Sequence, residues 1–494
     1  MQDSRHAEYN NWLGVWGRIR DALAGQDAIK AKSTTYLPKL NGQKEDDYDA
    51  YLKRARYINF PKRVLNIALG QLFRKESTGT DTIDAELLKN INLAGRDFNY
   101  FSRMIAREVM VTNRIGILVD YSEVQKRPYL TAYKVENIIN WQTANIDGIV
   151  KLSMVMLEGE IGQPKADDPY TLETVKIWKE LYLNEAGVYM TRDWKKISAQ
   201  TGGAQFELVA ESIPVIDGAV FDYIPFYLCT SDGIVTEISE SALIDLVDVN
   251  LGHYINSADY ENMLHWTGAR TIIAKGWDEK KDFPIGGCAV LPESGDVSFL
   301  EASSDSALQE AMKRKEEQMS IIASSFITGK GRYVASAETA TKTSQGEYAT
   351  LADISNALSV CMTTIMALFN EWAGSQEEVS IQFNTEFEEV TLDPQEAISW
   401  SGLVASDLMS WPTFYHNMKT KNVYPAGWDI EQEEEAIKAN QEEKIKARDE
   451  QMKQFYQNQI NNKGGALNGE GDKGNGKIGK EGADATDKER AVEI

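Results

Sequence analysis

Cysteine is scarce in this chain of 494 residues: Cys229, Cys288 and Cys361 are the only three, widely spaced and odd in number. They indicate neither a disulfide framework nor a cysteine zinc site, and read most simply as buried apolar residues. No run of 18 apolar residues occurs, so no membrane span is expected. The N-terminus, MQDSRHAEYNNW, is polar and lacks an apolar signal region, which points to a reducing, aqueous compartment. Catalytic signatures are missing too: no HExxH, GxSxG, CxxC or GxxxxGK[ST] is present. Of the four histidines, His6, His253, His265 and His416, the middle two are about three helical turns apart, too far to share a metal. The run from Gly329 to Val334 starts like a dinucleotide fingerprint but lacks the last glycine and follows a helix. No cofactor, metal site or catalytic residue is therefore expected, and the chain reads as a non-enzyme. A site assembled from distant residues is the one enzymatic alternative.

Positive charge is also short. The formal net charge is −23, so the whole-molecule field repels nucleic acid and anionic membrane. Residues 431–494 hold 15 acids and 11 bases, a net of −4, which leaves −19 on the body. Between Thr343 and Met418 there is no Lys or Arg, whereas Glu347, Asp353, Glu371, Glu377, Glu378, Glu386, Glu388, Glu389, Asp393, Glu396 and Asp407 lie there. Such a stretch is either a solvated acidic surface or a wall that must not hold a passing polyanion.

What is present reads as α+β. Residues 1–75 look helical, with a turn around Pro38 to Gly42. Tyr48, Tyr51, Leu52, Ala55 and Tyr57 form one apolar face, and Val64, Leu65, Ala68, Leu69, Leu72 and Phe73 another. Arg54, Arg56, Lys62 and Arg63 between them suit rim or interface pairing with carboxylates. Phe98 to Val111 reads as a helix stopping at Asn113. Strands are expected at Ile115–Val119, Tyr129–Tyr133, Leu152–Leu157, Val175–Leu183, Val188–Trp194 and Phe206–Val209. In Glu173–Leu183 the alternation is blurred by Trp178, which suggests cover on both faces.

The most informative segment runs from Ser241 to Trp372. A helix capped by Ser239 or Ser241 extends to about Trp266, with Leu243, Val247, Leu251, Tyr254 and Ala258 on one stripe, about 40 Å in all. A small β module follows: Thr271–Ala274 is a strand, and Cys288–Leu291 pairs with Val297–Leu300 across Pro292–Asp296. Ser304–Phe326 returns as a helix whose seam is Leu308, Met312, Lys315, Met319, Ile322 and Phe326, broken midway by Lys315. Lys313, Arg314 and Lys315 either pair with Glu310, Glu316 and Glu317 at helical spacing or offer a moving phosphate chain weak contacts. A small-residue loop spans Ile327–Gly346, with Lys330, Arg332 and Lys342 as its only positive charges. Glu347–Trp372 is an apolar helix, Val379–Val390 a strand, helices resume at Pro394, and Glu431–Gln459 is a solvated helix. From Asn461 onward no core can form, so disorder is expected. Two long helices bracketing a small β unit suit a stalk tipped by a docking module.

With this order of elements the chain resembles the portal proteins of tailed bacteriophages, most nearly the branch with an uncharacterised N-terminal family domain. The matching stretches are Tyr36-Leu37-Pro38, Tyr48 to Ala55, Gly70 to Lys75, Ile138 to Trp141, Ile224-Pro225-Phe226, His253-Tyr254 and Ser257 to Asn262, over roughly residues 30–430. The resemblance implies a homo-oligomeric ring, usually of twelve subunits, at one capsid vertex of the virion, made in the host cytoplasm. Its channel passes double-stranded DNA during packaging and ejection. Implied partners are the major capsid protein, the terminase large subunit and neck or adaptor proteins, with no membrane. Carried over by order, 1–240 is a wing, 241–267 and 304–326 two stem helices, and 268–303 a clip offering Lys275, Trp277, Lys280 and Lys281 for docking. Residues 327–346 are a tunnel loop, 347–392 a bent helix with a wing strand, 393–460 a helical crown and 461–494 a tail. Lys313, Arg314, Lys315, Lys330, Arg332 and Lys342 become DNA-channel candidates. Another ring-forming head–tail connector, or an acidic hydrolase, is the alternative.

Overall fold

The computed structural model describes residues 2–146, 148–165, 168, 170–197, 205–216, 218–268, 271–275, 295–300, 306–328, 350–387, 394–406, 408–420 and 430–464. It is a mixed helix and sheet protein in two compact units, Met1–Glu388 and Glu389–Ile494.

The first unit opens with α1 (Ala7–Ala24), α2 (Gln26–Ala31), α3 (Glu45–Arg54), α4 (Phe60–Leu72), α5 (Ala85–Lys89) and α6 (Phe98–Thr112). Local chemistry fixes the ends. Asn59 Oδ1 accepts the Lys62 N–H and Pro61 fills the first turn of α4. Asp97 caps α6 through the Tyr100 N–H, and Asn113 ends it in the left-handed region at φ 52°. Helix α3 stops at Arg54, so Ala55 and Tyr57 follow it in non-helical chain rather than continuing a helical face; both are still buried.

Two antiparallel sheets follow. β1 (Ile115–Ser122), β2 (Arg127–Lys134), β10 (Phe226–Thr230) and β11 (Gly233–Ile234) form one, in the order β11-β10-β1-β2. β3 (Ile138–Ile146), β4 (Ile149–Pro164), β5 (Leu172–Leu183), β6 (Tyr189–Ile197) and β7 (Gln205–Ser212) form a meander in sequence order, and β8 (Val215–Ile216) pairs with β9 (Ala219–Val220). Trp178 and Leu181 are three apart on β5, hence on opposite faces, and both are buried, so the middle of that strand is covered on both sides. Arg20 locks α1 to the following layers: its guanidinium donates to Glu136 at 2.7 Å and to the buried Glu108 of α6.

Helix α7 (Ile244–Gly268), β12 (Thr271–Lys275), β13 (Asp296–Leu300), α8 (Ser306–Thr328) and α9 (Thr350–Trp372) complete the first unit. Helix α9 is long and apolar enough by composition to cross a membrane, yet here it is a core helix: Leu351, Cys361, Met362, Ile365, Met366 and Phe369 are fully buried.

One expectation is corrected. Val379–Val390 is not a strand over its described part. The burial alternates as expected at Val379, Ile381 and Phe383, but one isolated bridge, Thr78 to Gln382, is the sole β pairing there. Its other edge is met by a helix: Thr363 Oγ1 accepts the Ile381 N–H at 3.0 Å, and the Ser355 hydroxyl donates to Asn384 O at 2.7 Å. The described partner of β13 is β12, with Thr271 opposite Leu300 and Lys275 opposite Asp296; Cys288–Leu291, expected to pair with Val297–Leu300, lies outside the described residues. The stripe expected on α7 is buried: Leu243, Val247, Leu251, Tyr254 and Ala258, joined by Leu246, belong to the main core, so the helix is rooted from its start.

In the second unit, α10 (Pro394–Ala405), α11 (Trp411–Thr420) and α12 (Ile430–Gly464) are helical. Trp411 stacks on Tyr415, its neighbour one turn on, at 5.7 Å. Helix α12 runs 35 residues, past Asn461 where disorder was expected, and leaves Ile445, Met452, Phe455 and Tyr456 exposed.

Candidate functional site

The candidate site is the antiparallel pair α7 and α8 with the β ribbon at its end. The helix start follows from Ser241, whose Oγ accepts the Leu243 N–H at 3.1 Å and whose hydroxyl donates to Met110 O at 3.0 Å. Ser239 is used elsewhere, hydrogen bonded to Asn113. The 25 residues of α7 extend about 37 Å at 1.5 Å each.

Its base is tied to the N-terminal helices by polar contacts. Asn250 Nδ2 donates to Ile58 O at 3.0 Å, the Ser257 hydroxyl to Arg56 O at 2.8 Å, and the Tyr51 hydroxyl to Asp259 Oδ1 at 2.6 Å. Burial, reinforced by the Asp259 carboxylate, pushes the Tyr51 phenol well above its usual range, so it stays a donor. Arg54 Nη1 reaches Asn262 Oδ1 at 3.0 Å. Every one of these contacts ends by Asn262.

Contacts across the pair fix its register. Gly252 faces Lys315, buried His253 Nε2 lies 3.3 Å from Glu316 Oε1, and Gln309 Nε2 donates to the Tyr260 hydroxyl at 3.1 Å. The break in the α8 seam is thereby explained. A Cβ on Gly252 would stand 3.1 Å from Lys315 Cε, so the glycine leaves room for the lysine's methylenes between the helices.

Burial runs out toward the ribbon. On α7, Leu264 and Trp266 are 44% and 55% exposed, whereas Tyr254 and Ala258 are fully buried. On α8 no described residue is buried before Met319; Met319 and Phe326 then enter the core. The pair is rooted at one end and bare at the other.

The positive candidates separate accordingly. Arg314 pairs with Glu310 one turn back at 2.7 Å, Lys315 lies along Gly252, and Lys313 is exposed beside Glu316, Glu317, Ser320 and Ile321 in a shallow cleft of about 470 Å³. Lys275 is exposed at the end of β12. Lys330, Arg332, Lys342, Trp277, Lys280 and Lys281 lie outside the described residues. Sequence reasoning missed Gly252 and the Tyr51–Asp259 and Arg54–Asn262 ties. Their signal was present as a glycine opposite the seam break and as polar residues on the α7 stripe edge.

Elsewhere, among the described residues, no group of three His, Cys, Asp or Glu side chains is close enough to hold a metal. An open cleft of about 570 Å³ is lined by His6, Glu8, Trp141 and Glu237, with His6 stacked on Trp141 at 4.1 Å and buried Arg114 against Trp141 at 4.2 Å. These groups form a stacked, mostly polar surface with no nucleophile beside a base.

A family model described as a domain of unknown function (DUF4055) matches residues 242–373, the segment from α7 to the end of α9. No curated protein matches this chain. Among solved structures, it is similar to a chain from "Neck of empty GTA particle computed with C6 symmetry", at 14% identity and a TM-score of 0.36, covering 74% of this chain and 90% of the other. It is also similar to a chain from "Virion of native gene transfer agent (GTA) particle", at 13% identity and a TM-score of 0.35, covering 77% and 94%. A third, from "Neck of native GTA particle computed with C12 symmetry", has 14% identity and a TM-score of 0.35, covering 70% and 84%. The superpositions are loose.

Proposed function

We propose that this chain is the subunit of a portal-type ring of a tailed-phage-like particle, a structural and docking component rather than an enzyme. The observation that carries the reading is the α7–α8 pair, rooted through Tyr51, Arg54 and the Leu243–Ala258 stripe and bare at its ribbon end. A lone helix pair gains little from standing in water, whereas repetition about an axis lets each copy cover its neighbour's exposed side chains.

In this reading α7 and α8 form the stem, and the ribbon with Lys275, Trp277, Lys280 and Lys281 forms the clip that meets the terminase large subunit and later the neck proteins. The wing meets the major capsid protein. Double-stranded DNA passes through the opening without sequence-specific contact, past Lys313 and past a tunnel loop carrying Lys330, Arg332 and Lys342. The acidic stretch, repeated in each of about twelve copies, forms rings of like charge that limit adhesion. Arg314 and Lys315 are weaker channel candidates than Lys313, since both already have intrachain roles.

Light scattering combined with negative-stain images of the purified protein tests this. A closed ring with a central hole is expected. A compact monomer with hydrolytic turnover would support the acidic-hydrolase alternative instead.

A further inference from the structure

Charge is segregated along this chain in a second way. From Ala50 to Lys75 there are seven bases and no acid, the mirror image of the base-free stretch from Thr343 to Met418. Within one protomer, among the described residues, one ion pair joins the two stretches, Lys75 with Glu386 at 2.6 Å, beside which Arg74 donates to Glu386 O at 3.0 Å. The other five bases, Lys53, Arg54, Arg56, Lys62 and Arg63, form no ion pair with a carboxylate among the described residues. Arg54 takes an amide oxygen from Asn262 instead.

Lys30 joins them, its Nζ donating to Lys53 O at 3.0 Å. Burial, with Arg56 adding to it, holds the Lys30 ammonium below the usual lysine range, as expected where cations crowd together. The patch is not purely polar: Ile58 and Ile67 within it are 42% and 52% exposed. On a molecule with a net charge of −23, an unpaired basic patch containing exposed isoleucines is an anomaly.

The matching surface is the outer stripe of α9. From Asp353 to Glu371 its exposed positions are Asp353, Asn356, Val360, Thr364, Ala367 and Glu371, spaced three and four apart. The stripe carries acids at its two ends, small residues between them and no base, and Val360 is 59% exposed. Small side chains permit close approach of a partner, and the terminal carboxylates suit guanidinium and ammonium groups.

We infer that the basic patch of one copy, around Arg56, Lys62 and Arg63, docks on the α9 stripe of the next copy, around Asp353 and Glu371. The contact is heterologous, two different faces meeting head to tail, which is the kind that closes a ring. It rests on the ring reading and adds to it the residues that join neighbours. The occupant is a second copy of this chain. A nucleic-acid polyanion is the competing occupant, disfavoured because the patch carries exposed isoleucines and an uncharged-centred acidic stripe complements it.

The test compares three full-length chains by light scattering over a range of concentrations at low and moderate salt, with circular dichroism confirming that each is folded. The unmodified chain is expected to form the ring. Arg56→Glu with Lys62→Glu and Arg63→Glu should raise the concentration needed for half-assembly by roughly tenfold or more. Adding Asp353→Lys and Glu371→Lys to that variant should restore assembly, a result that mere damage to folding does not give. Assembly of the triple variant at wild-type concentration overturns the inference while leaving the ring in place. So does failure of the five-fold swap to rescue, or a triple variant that assembles normally but loses retention of double-stranded DNA on a filter. An unmodified chain that stays monomeric at every concentration overturns the ring and this contact together.

Discussion

Ser359 and Phe383 join helix α9 to the extended segment that follows it: Ser359 Oγ accepts the Phe383 N–H at 3.0 Å and donates to Ser355 O at 2.8 Å. Ser355, Ser359 and Thr363 recur every four residues, about 6 Å along a helix, close to the two-residue step of about 6.8 Å along extended chain. The helix thus offers a row of hydroxyls where a neighbouring strand would offer backbone. Ser359→Ala leaves the buried Phe383 N–H without its acceptor and should destabilise the first unit by about 1–3 kcal/mol. Denaturant unfolding measures this; Val360→Ala, on the exposed face, should change stability by less than about 0.5 kcal/mol.

Arg20 holds two carboxylates, and removing it leaves Glu108 buried and unpaired. Arg20→Ala should cost about 3 kcal/mol, reduced from the fully buried case because the arginine is itself partly exposed. The same network sets a pH dependence. Burial alone would raise the Glu136 pKa, but the hydrogen bonds and charge of Arg20 outweigh it and hold the carboxyl below its ordinary value of 4.5. A depressed folded pKa gives stability that is complete above the unfolded value and lost as pH falls through the folded one. Wild-type stability should therefore fall as pH drops below about 4.5, and Arg20→Ala should lose less over that window. Melting temperature against pH for the two proteins checks the sign.

Two glycines should respond in opposite directions to alanine. Gly79 has φ +81° and a Cβ there would lie 1.7 Å from Ser380 O, so Gly79→Ala should destabilise by more than about 3 kcal/mol. Gly252 is helical, and the 3.1 Å neighbour of its added Cβ is the flexible end of Lys315. Lys315 can swing aside, so Gly252→Ala should stabilise by up to about 1 kcal/mol through helix propensity. Urea midpoints for both variants decide the matter.

The positive charges of the 327–346 segment give a functional prediction. Neutralising Lys330, Arg332 and Lys342 to Gln together should spare assembly and lower the amount of DNA packaged per particle, since such contacts are weak, repeated and sequence-blind. DNA content per particle, measured against unmodified protein, is the readout; unchanged packaging would remove these residues from the channel role.

The helices and sheets were legible where one residue's partner is its own repeat. The buried stripes of α4, α7 and α9 follow from periodicity, because each packs a face of apolar residues against the core, and β1 from its short continuous apolar run, which is buried on both faces. Legibility ended where the partner is unlike the pattern. Val379–Phe387 alternates as a strand does, yet backbone groups of Ile381, Phe383 and Asn384 are answered by α9 hydroxyls, which sequence alternation does not reveal. Lys315 reads as a fault in the α8 seam until Gly252, 63 positions earlier, is seen opposite it. At the candidate site the two helices and the strand positions 271–274 and 297–300 were readable, but not the pairing of those two strands with each other. The depth to which α7 is rooted was not, since Tyr51, Arg54 and Asn250 act through single polar contacts that leave no period.

Electron cryomicroscopy of the assembled protein, asking where the bare ends of α7 and α8 lie, tests the central claim most directly. The account predicts residues 260–268 and 306–315 of every copy packed against neighbours around an axial opening, with the β12–β13 ribbon at one end. A monomer, or an assembly in which those residues point outward into solvent with no opening on the axis, would contradict it.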